Sequence, residues 1–256
     1  MRIWIDEWRS ENFEVVFSNN DVFSSYYNTF HRILLGTLLT LFVTLSASYS
    51  LSKHNLPGRS VITFFFIFTL FFSGGLVPTY LTIRGYGLIN SRWVLVFPIA
   101  RNVFYIIICR NFIMTIDQAM EDSAVIDGAS SWRVLFQIIV PLSKPVLATI
   151  ALWTATAHWN AWFDAWLYIN DRSKRVLQIL IRDLIFKVQS LANSDSMLRL
   201  LDQWRQEGRD IPDWAKVPDE AVKAATVLIT IGPIIIAYPF VQKYFVKGAM
   251  LGSLKG

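Results

Sequence analysis

The residues able to do chemistry in this chain of 256 residues are few and scattered. His31, His54 and His158 lie far apart, and no His/Cys/carboxylate cluster has the spacing of metal ligands, so no metal site is expected. No Gly-Lys dipeptide occurs, which removes the phosphate-cradling loop Gly-x4-Gly-Lys-Ser/Thr, and no Gly-x-Ser-x-Gly turn offers a serine nucleophile. No catalytic residue is assigned. What remains is binding chemistry. Trp153, Trp159, Trp162 and Trp166 stand among His158, Asn160 and Asp164. At helical spacing Trp159, Trp162 and Trp166 share a face, and flat indoles beside hydrogen-bonding groups suit a sugar ring. An aromatic belt at a membrane interface gives the same composition without a ligand, and is the reading preferred for Trp166 and Tyr168. Arg101, in an apolar run, either faces a polar or anionic solute with Asp164 as its counterpart, or snorkels or pairs with a neighbouring subunit.

The elements that must hold these residues are long apolar segments. The chain is 54% hydrophobic and 15% aromatic with a mean hydropathy of +0.40, too apolar for an ordinary soluble domain. About five spans are expected, over His31–Ser52, Val61–Tyr80, Trp93–Phe112, Lys144–Ile169 and Val222–Phe245, each near the length that crosses about 30 Å of hydrocarbon. Ser73-Gly74-Gly75 and Pro78 should break the second span near its far end. The net charge of +5 is modest and dispersed, which gives no nucleic-acid footprint. The single cysteine, Cys109, excludes an internal disulfide. The start of the chain is charged, with no apolar core of signal-peptide length.

One short polar insert interrupts the apolar segments, Glu121-Asp122-Ser123-Ala124-Val125-Ile126-Asp127-Gly128-Ala129. It reads as two helices around a tight turn. Asp117 caps the first, Gly128 suits the left-handed position where it stops, Ser130 or Ser131 opens the second, and Pro141 ends it by withholding a donor.

This insert resembles the cytoplasmic coupling signature of binding-protein-dependent ABC importer permeases: Glu-Ala-Ala, three residues, Gly, nine residues, Ile-x-Leu-Pro. The matching positions are Asp122, Ser123, Ala124, Gly128, Ile138, Val140 and Pro141, with every spacing kept; Asp122, Ser123 and Val140 depart conservatively. The stretches Phe72–Tyr80, His158-Trp159-Asn160, Tyr238-Pro239-Phe240 and Phe245-Val246-Lys247-Gly248 resemble the maltose-type, oligosaccharide branch, and the likeness runs from about Tyr27 onward. It implies an all-α, polytopic transmembrane permease with a cytoplasmic coupling helix, set in the inner membrane of a prokaryote, and here short of the family's first helix. Asp122, Ser123, Ala124, Asp127, Gly128 and Ala129 would dock on an ATP-binding subunit. The other implied partners are a second, homologous permease, a second ATP-binding subunit, an external solute-binding protein and the bilayer. No cofactor is expected on this chain, since ATP and Mg would sit on the partners.

The expected organisation is an external segment 1–29 followed by a transmembrane domain 30–256. The domain holds the coupling insert 113–143, an external loop 170–221 and a cytoplasmic tail 246–256. With the insert inside, short loops carry eight Lys/Arg on the inner side (Lys53, Arg59, Arg110, Arg133, Lys144, Lys243, Lys247, Lys255) against four outside (Arg2, Arg9, Arg84, Arg92). The function implied is uptake of a sugar or oligosaccharide along a route that includes Arg101, Trp159, Asn160, Trp162 and Asp164. The arginines suggest an acidic solute such as a uronate oligomer. An ion-gradient-driven secondary transporter is the alternative; it predicts inverted repeats and paired intramembrane carboxylates, and neither is visible.

Overall fold

The first helix, α1 (Asp21–Ser52), is built inside out. Its polar and small residues Ser25, Thr29, Arg32, Gly36, Thr40, Thr44 and Ser48 recur every three to four positions and are buried, while Phe23, Tyr27, Phe30, Leu34, Leu38 and Phe42 are exposed. Such a helix is stable only where the surroundings are apolar and small residues let neighbouring helices approach closely. Its 32 residues reach about 48 Å, more than the hydrocarbon thickness.

The protein is described here from a computed structural model that covers residues 21–192 and the single positions 199, 203, 206, 228, 232 and 235. The expected span Val222–Phe245, the tail 246–256, residues 1–20 and most of the loop 193–221 fall outside the described residues. Every regular element among the described residues is helical. By length and composition α1 is the one described helix able to cross a bilayer alone, and up to four crossings result if each bent pair is one span.

The second span is broken where Ser73-Gly74-Gly75 predicts. Helices α2 (Arg59–Phe71) and α3 (Leu76–Gly85) meet at 115°. Gly75 has φ +83°, and its N–H donates to Ser73 Oγ at 3.2 Å. No residue of α2 is buried, and Phe64, Phe65, Phe68 and Phe71 face outward.

Trp93–Phe112 is not the single helix expected. Arg92–Leu95 is a 3-10 turn, residues 96–102 are irregular around Pro98, and α4 (Val103–Ile113) has only 11 residues, about 16 Å. Asn102 sets the later start by accepting from the Tyr105 N–H at 3.3 Å, an N-cap that the apolar count concealed.

The insert forms α5 (Gln118–Ile126) and α6 (Ser131–Leu142). Pro141 does not stop α6 as expected. The helix instead widens to a π turn over Leu135–Ile139, with Val140 N–H donating to Leu135 O, and runs to Leu142. Pro141 cannot donate to the carbonyl four residues back and its ring crowds that oxygen, so the preceding turn opens. The chain then bends by 81° into α7 (Lys144–Asn160).

The fourth span is also divided, since α7 ends at Asn160 and α8 (Phe163–Tyr168) follows after Ala161 and Trp162. A continuous helix would join the Ala161 carbonyl to the Ala165 N–H. Instead Arg32 Nη1 donates to Ala161 O at 2.9 Å, and Ala165 N–H donates to Asp164 Oδ1 at 2.9 Å.

The chain divides into two units, Met1–Thr29 with Trp162–Tyr238, and Phe30–Ala161 with Pro239–Gly256. The core of the second gathers Leu45, Tyr49, Cys109, Ile113, Val134, Leu135, Ile139, Val146 and Ile150. In the first, the turn Arg172–Lys174 is latched to α1. Asn28 Nδ2 donates to Ser173 O at 2.7 Å and Arg175 O at 3.0 Å, and Thr29 Oγ1 accepts from Leu177 N–H at 2.9 Å, where α9 (Leu177–Ala192) opens. Asp171 caps that turn, and hydrogen bonds from the Ser173 hydroxyl and N–H hold its carboxyl below the usual range.

Candidate functional site

The insert has the caps its sequence calls for. Asp117 Oδ1 accepts from Ala119 N–H at 3.0 Å, and Ser130 Oγ accepts from Arg133 N–H at 3.4 Å. Gly128 has φ +80°, and Ala129 N–H returns to Ala124 O at 2.9 Å. These bonds satisfy the facing ends of the two helices at the turn. No residue of α5 is buried, and Met120, Val125, Ile126, Trp132 and Phe136 are exposed, with Ile126 at 85%. Asp122, Ser123, Asp127, Gly128 and Ala129 lie on or beside this apolar crest. Ala124 and Ala129 are half-buried and pack against the core cluster.

Sequence reasoning did not single out Lys53, which ties the insert to the end of α1. Its Nζ forms an ion pair with Glu121 and lies 4.2 Å from the Tyr49 ring centroid. Burial pushes the ammonium below the usual lysine range, and the Asp122 carboxylate acts in the opposite direction. Arg110 Nε donates to Leu51 O at 3.0 Å, a second tie at the same helix end. The insert is thus joined to the end of α1 by a charged contact and packs on the core through Ala124.

The residues assigned to a solute route are divided between the two units. Arg101 is not within a helix; it is exposed in the irregular stretch before α4, so the premise of a cation inside the third span is corrected. Trp159 and Asn160 belong to one unit, Trp162 and Asp164 to the other. The break at Ala161 also cancels the shared face of Trp159, Trp162 and Trp166. Trp159 is buried with its ring 6.1 Å from that of Phe30, whereas Asn160, Trp162 and Trp166 are exposed.

Among the described residues the buried charge is Arg32. Arg32 and His158 are each 1% exposed, and Arg32 Nε donates to His158 Nδ1 at 3.3 Å. The guanidinium sits at the carbonyl end of α7, where the helix dipole favours a cation. Its signal in the sequence is the polar stripe of α1, in which it replaces a small residue.

Residues 22–250 match the family model described as the binding-protein-dependent transport system inner membrane component. The chain is 35% identical over 244 residues to the polygalacturonan/rhamnogalacturonan transport system permease protein YtcP of Bacillus subtilis (strain 168), covering 95% of this chain and 81% of that one. Protein LplC of the same organism is 38% identical over 245 residues, covering 95% and 78%. Among solved structures, a bacterial ABC transporter involved in the import of the acidic polysaccharide alginate matches with TM-score 0.78 and 31% identity, over 91% of this chain and 79% of that one. With its helical fold and a family match that spans nearly its whole length, the chain belongs to the inner membrane components of binding-protein-dependent transport systems.

Proposed function

We propose that this chain is one of two membrane subunits of an ATP-driven importer that receives an acidic oligosaccharide from an external binding protein. The observation that carries the reading is the exposed apolar crest of α5 and α6. Two short capped helices hold out Val125, Ile126 and Trp132, and an apolar surface of this kind marks an interaction site. Its partner is an ATP-binding subunit, gripped at Asp122, Ser123, Ala124, Asp127, Gly128 and Ala129. ATP and Mg stay on that partner. Closure of two such subunits pulls the crest, and the Lys53–Glu121 pair and the core cluster carry the pull into α1, α4 and α7.

The carbohydrate class is supported by relatives named for polygalacturonan/rhamnogalacturonan and arabinooligosaccharide transport, and the acidic class by the first of these together with the alginate importer. Of the residues expected along the route, Asn160, Trp162 and Arg101 are exposed and free to meet a solute, whereas Trp159 is buried against Phe30 and serves packing. The test is uptake of labelled oligogalacturonate by the complete complex in vesicles with binding protein supplied. The expected result is uptake that needs internal ATP and stops with vanadate. Uptake that ignores vanadate and stops with an ionophore would instead identify a secondary transporter.

A further inference from the structure

Beside Trp162, one face of α9 lines an open cavity of about 280 Å³, bordered by Trp162, Gln178, Ile181, Arg182 and Phe186. Positions 178, 181, 182 and 186 follow the spacing that puts residues on one side of a helix. The Arg182 guanidinium carbon lies 5.1 Å from the Trp162 ring, 5.6 Å from Trp166 and 5.3 Å from Phe186. Aromatic contact with the faces of a guanidinium fixes its plane and leaves its N–H donors directed from the edge. Arg182 has no ion pair among the described residues. The adjacent Asp183 is already bonded to Arg175 Nη1 at 2.8 Å, so it does not neutralise Arg182.

The space fits a single sugar ring. A hexuronate supplies a flat apolar face for Trp162 and a carboxylate that matches the guanidinium fork.

We propose that Trp162 and Arg182 form a subsite for one uronate ring, with Arg182 taking the carboxylate and Trp162 the apolar face of the ring. The inference rests on the acidic-oligosaccharide function above and deepens it by giving the acid group a named partner. In this account Trp162 works with α9, and the carboxylate is read before the solute passes on. Neutral oligomers lose the Arg182 contact and keep the stacking on Trp162.

The test compares uptake of trigalacturonate with that of its methyl ester, which keeps the rings and hydroxyls and removes the charge. The complete complex is used with its binding protein in excess, and assembly of each variant is checked by co-purification. Wild-type protein is expected to take up the acid in preference to the ester. Arg182→Gln should lower acid uptake about tenfold while leaving the ester unchanged, and Arg182→Lys should fall between. If wild type takes up both equally, the acidic function fails and this inference fails with it. If wild type prefers the acid and Arg182→Gln keeps that preference, the function stands and the subsite is overturned. A loss equal for acid and ester that follows the phosphatidylglycerol content of the vesicles would assign Arg182 to a lipid headgroup and also overturn it.

Discussion

Arg32 and His158, both buried, meet with Nε 3.3 Å from Nδ1, and the ring of His158 lies where Gly36 has no side chain. A Cβ on Gly36 would fall 2.6 Å from His158 Cε1, too close for any real contact. Arg32 holds the ring from the other side, so it cannot swing clear. Gly36→Ala is expected to cost about 1–3 kcal/mol, seen as a lower Tm of the purified complex. The same substitution in a His158→Ala background should be tolerated. An unchanged Tm for Gly36→Ala alone would show that the ring is not confined.

Arg32 also secures the break between α7 and α8 by holding the Ala161 carbonyl. A lysine keeps the charge but has no planar fork with which to meet His158 and Ala161 together. Arg32→Lys should therefore leave assembly intact and slow transport. Arg32→Met, which leaves two buried acceptors open at about 1–3 kcal/mol each, should reduce the yield of assembled complex. Equal transport by Arg32→Lys and wild type would remove the positioning role.

The Lys53–Glu121 pair joins the insert to α1. Reversing either charge places like charges together beside Asp122. Lys53→Glu and Glu121→Lys are each expected to uncouple ATP hydrolysis from the loaded binding protein, and the double reversal to recover it. A half-exposed pair is worth up to about 1 kcal/mol, so the expected loss is a few-fold. Additive effects without recovery would mean the pair carries no coupling.

At Gly128 the φ of +80° meets open space, since an added Cβ would find nothing within 4 Å. The cost of a side chain is therefore conformational, about 1–2 kcal/mol, and falls least on asparagine, which tolerates the left-handed region. Gly128→Asn should retain more uptake than Gly128→Val, with both inserted normally. Equal loss in the two would indicate a steric contact with a partner rather than backbone strain.

Residue types that act on their own backbone were readable from the chain. Asp117, Ser130, Gly128 and the Ser73-Gly74-Gly75 break all do their work within a few residues, where spacing is sufficient. Hydropathy alone overran the helix ends at Trp93–Val103 and Asn160–Phe163. There Asn102, Asp164 and distant Arg32 supply competing hydrogen bonds within apolar runs. In the sequence Arg32 is less conspicuous than Arg101, which stands in a more apolar-looking run. The stripe Ser25, Thr29, Arg32, Gly36, Thr40, Thr44 and Ser48 was the available sign that α1 turns its polar side inward. The cavity at Arg182 depends on how α9 folds back against the Trp162 end of α8, which no local pattern specifies.

The most direct test of the account is a mild-detergent pull-down of the tagged chain from its native membrane, with mass spectrometry of the proteins that follow it. The account predicts a second permease together with ATP-binding subunits, the latter lost when Asp127 and Gly128 are replaced while the permease partner remains. A lone chain or a homo-oligomer that transports without any ATPase would contradict it.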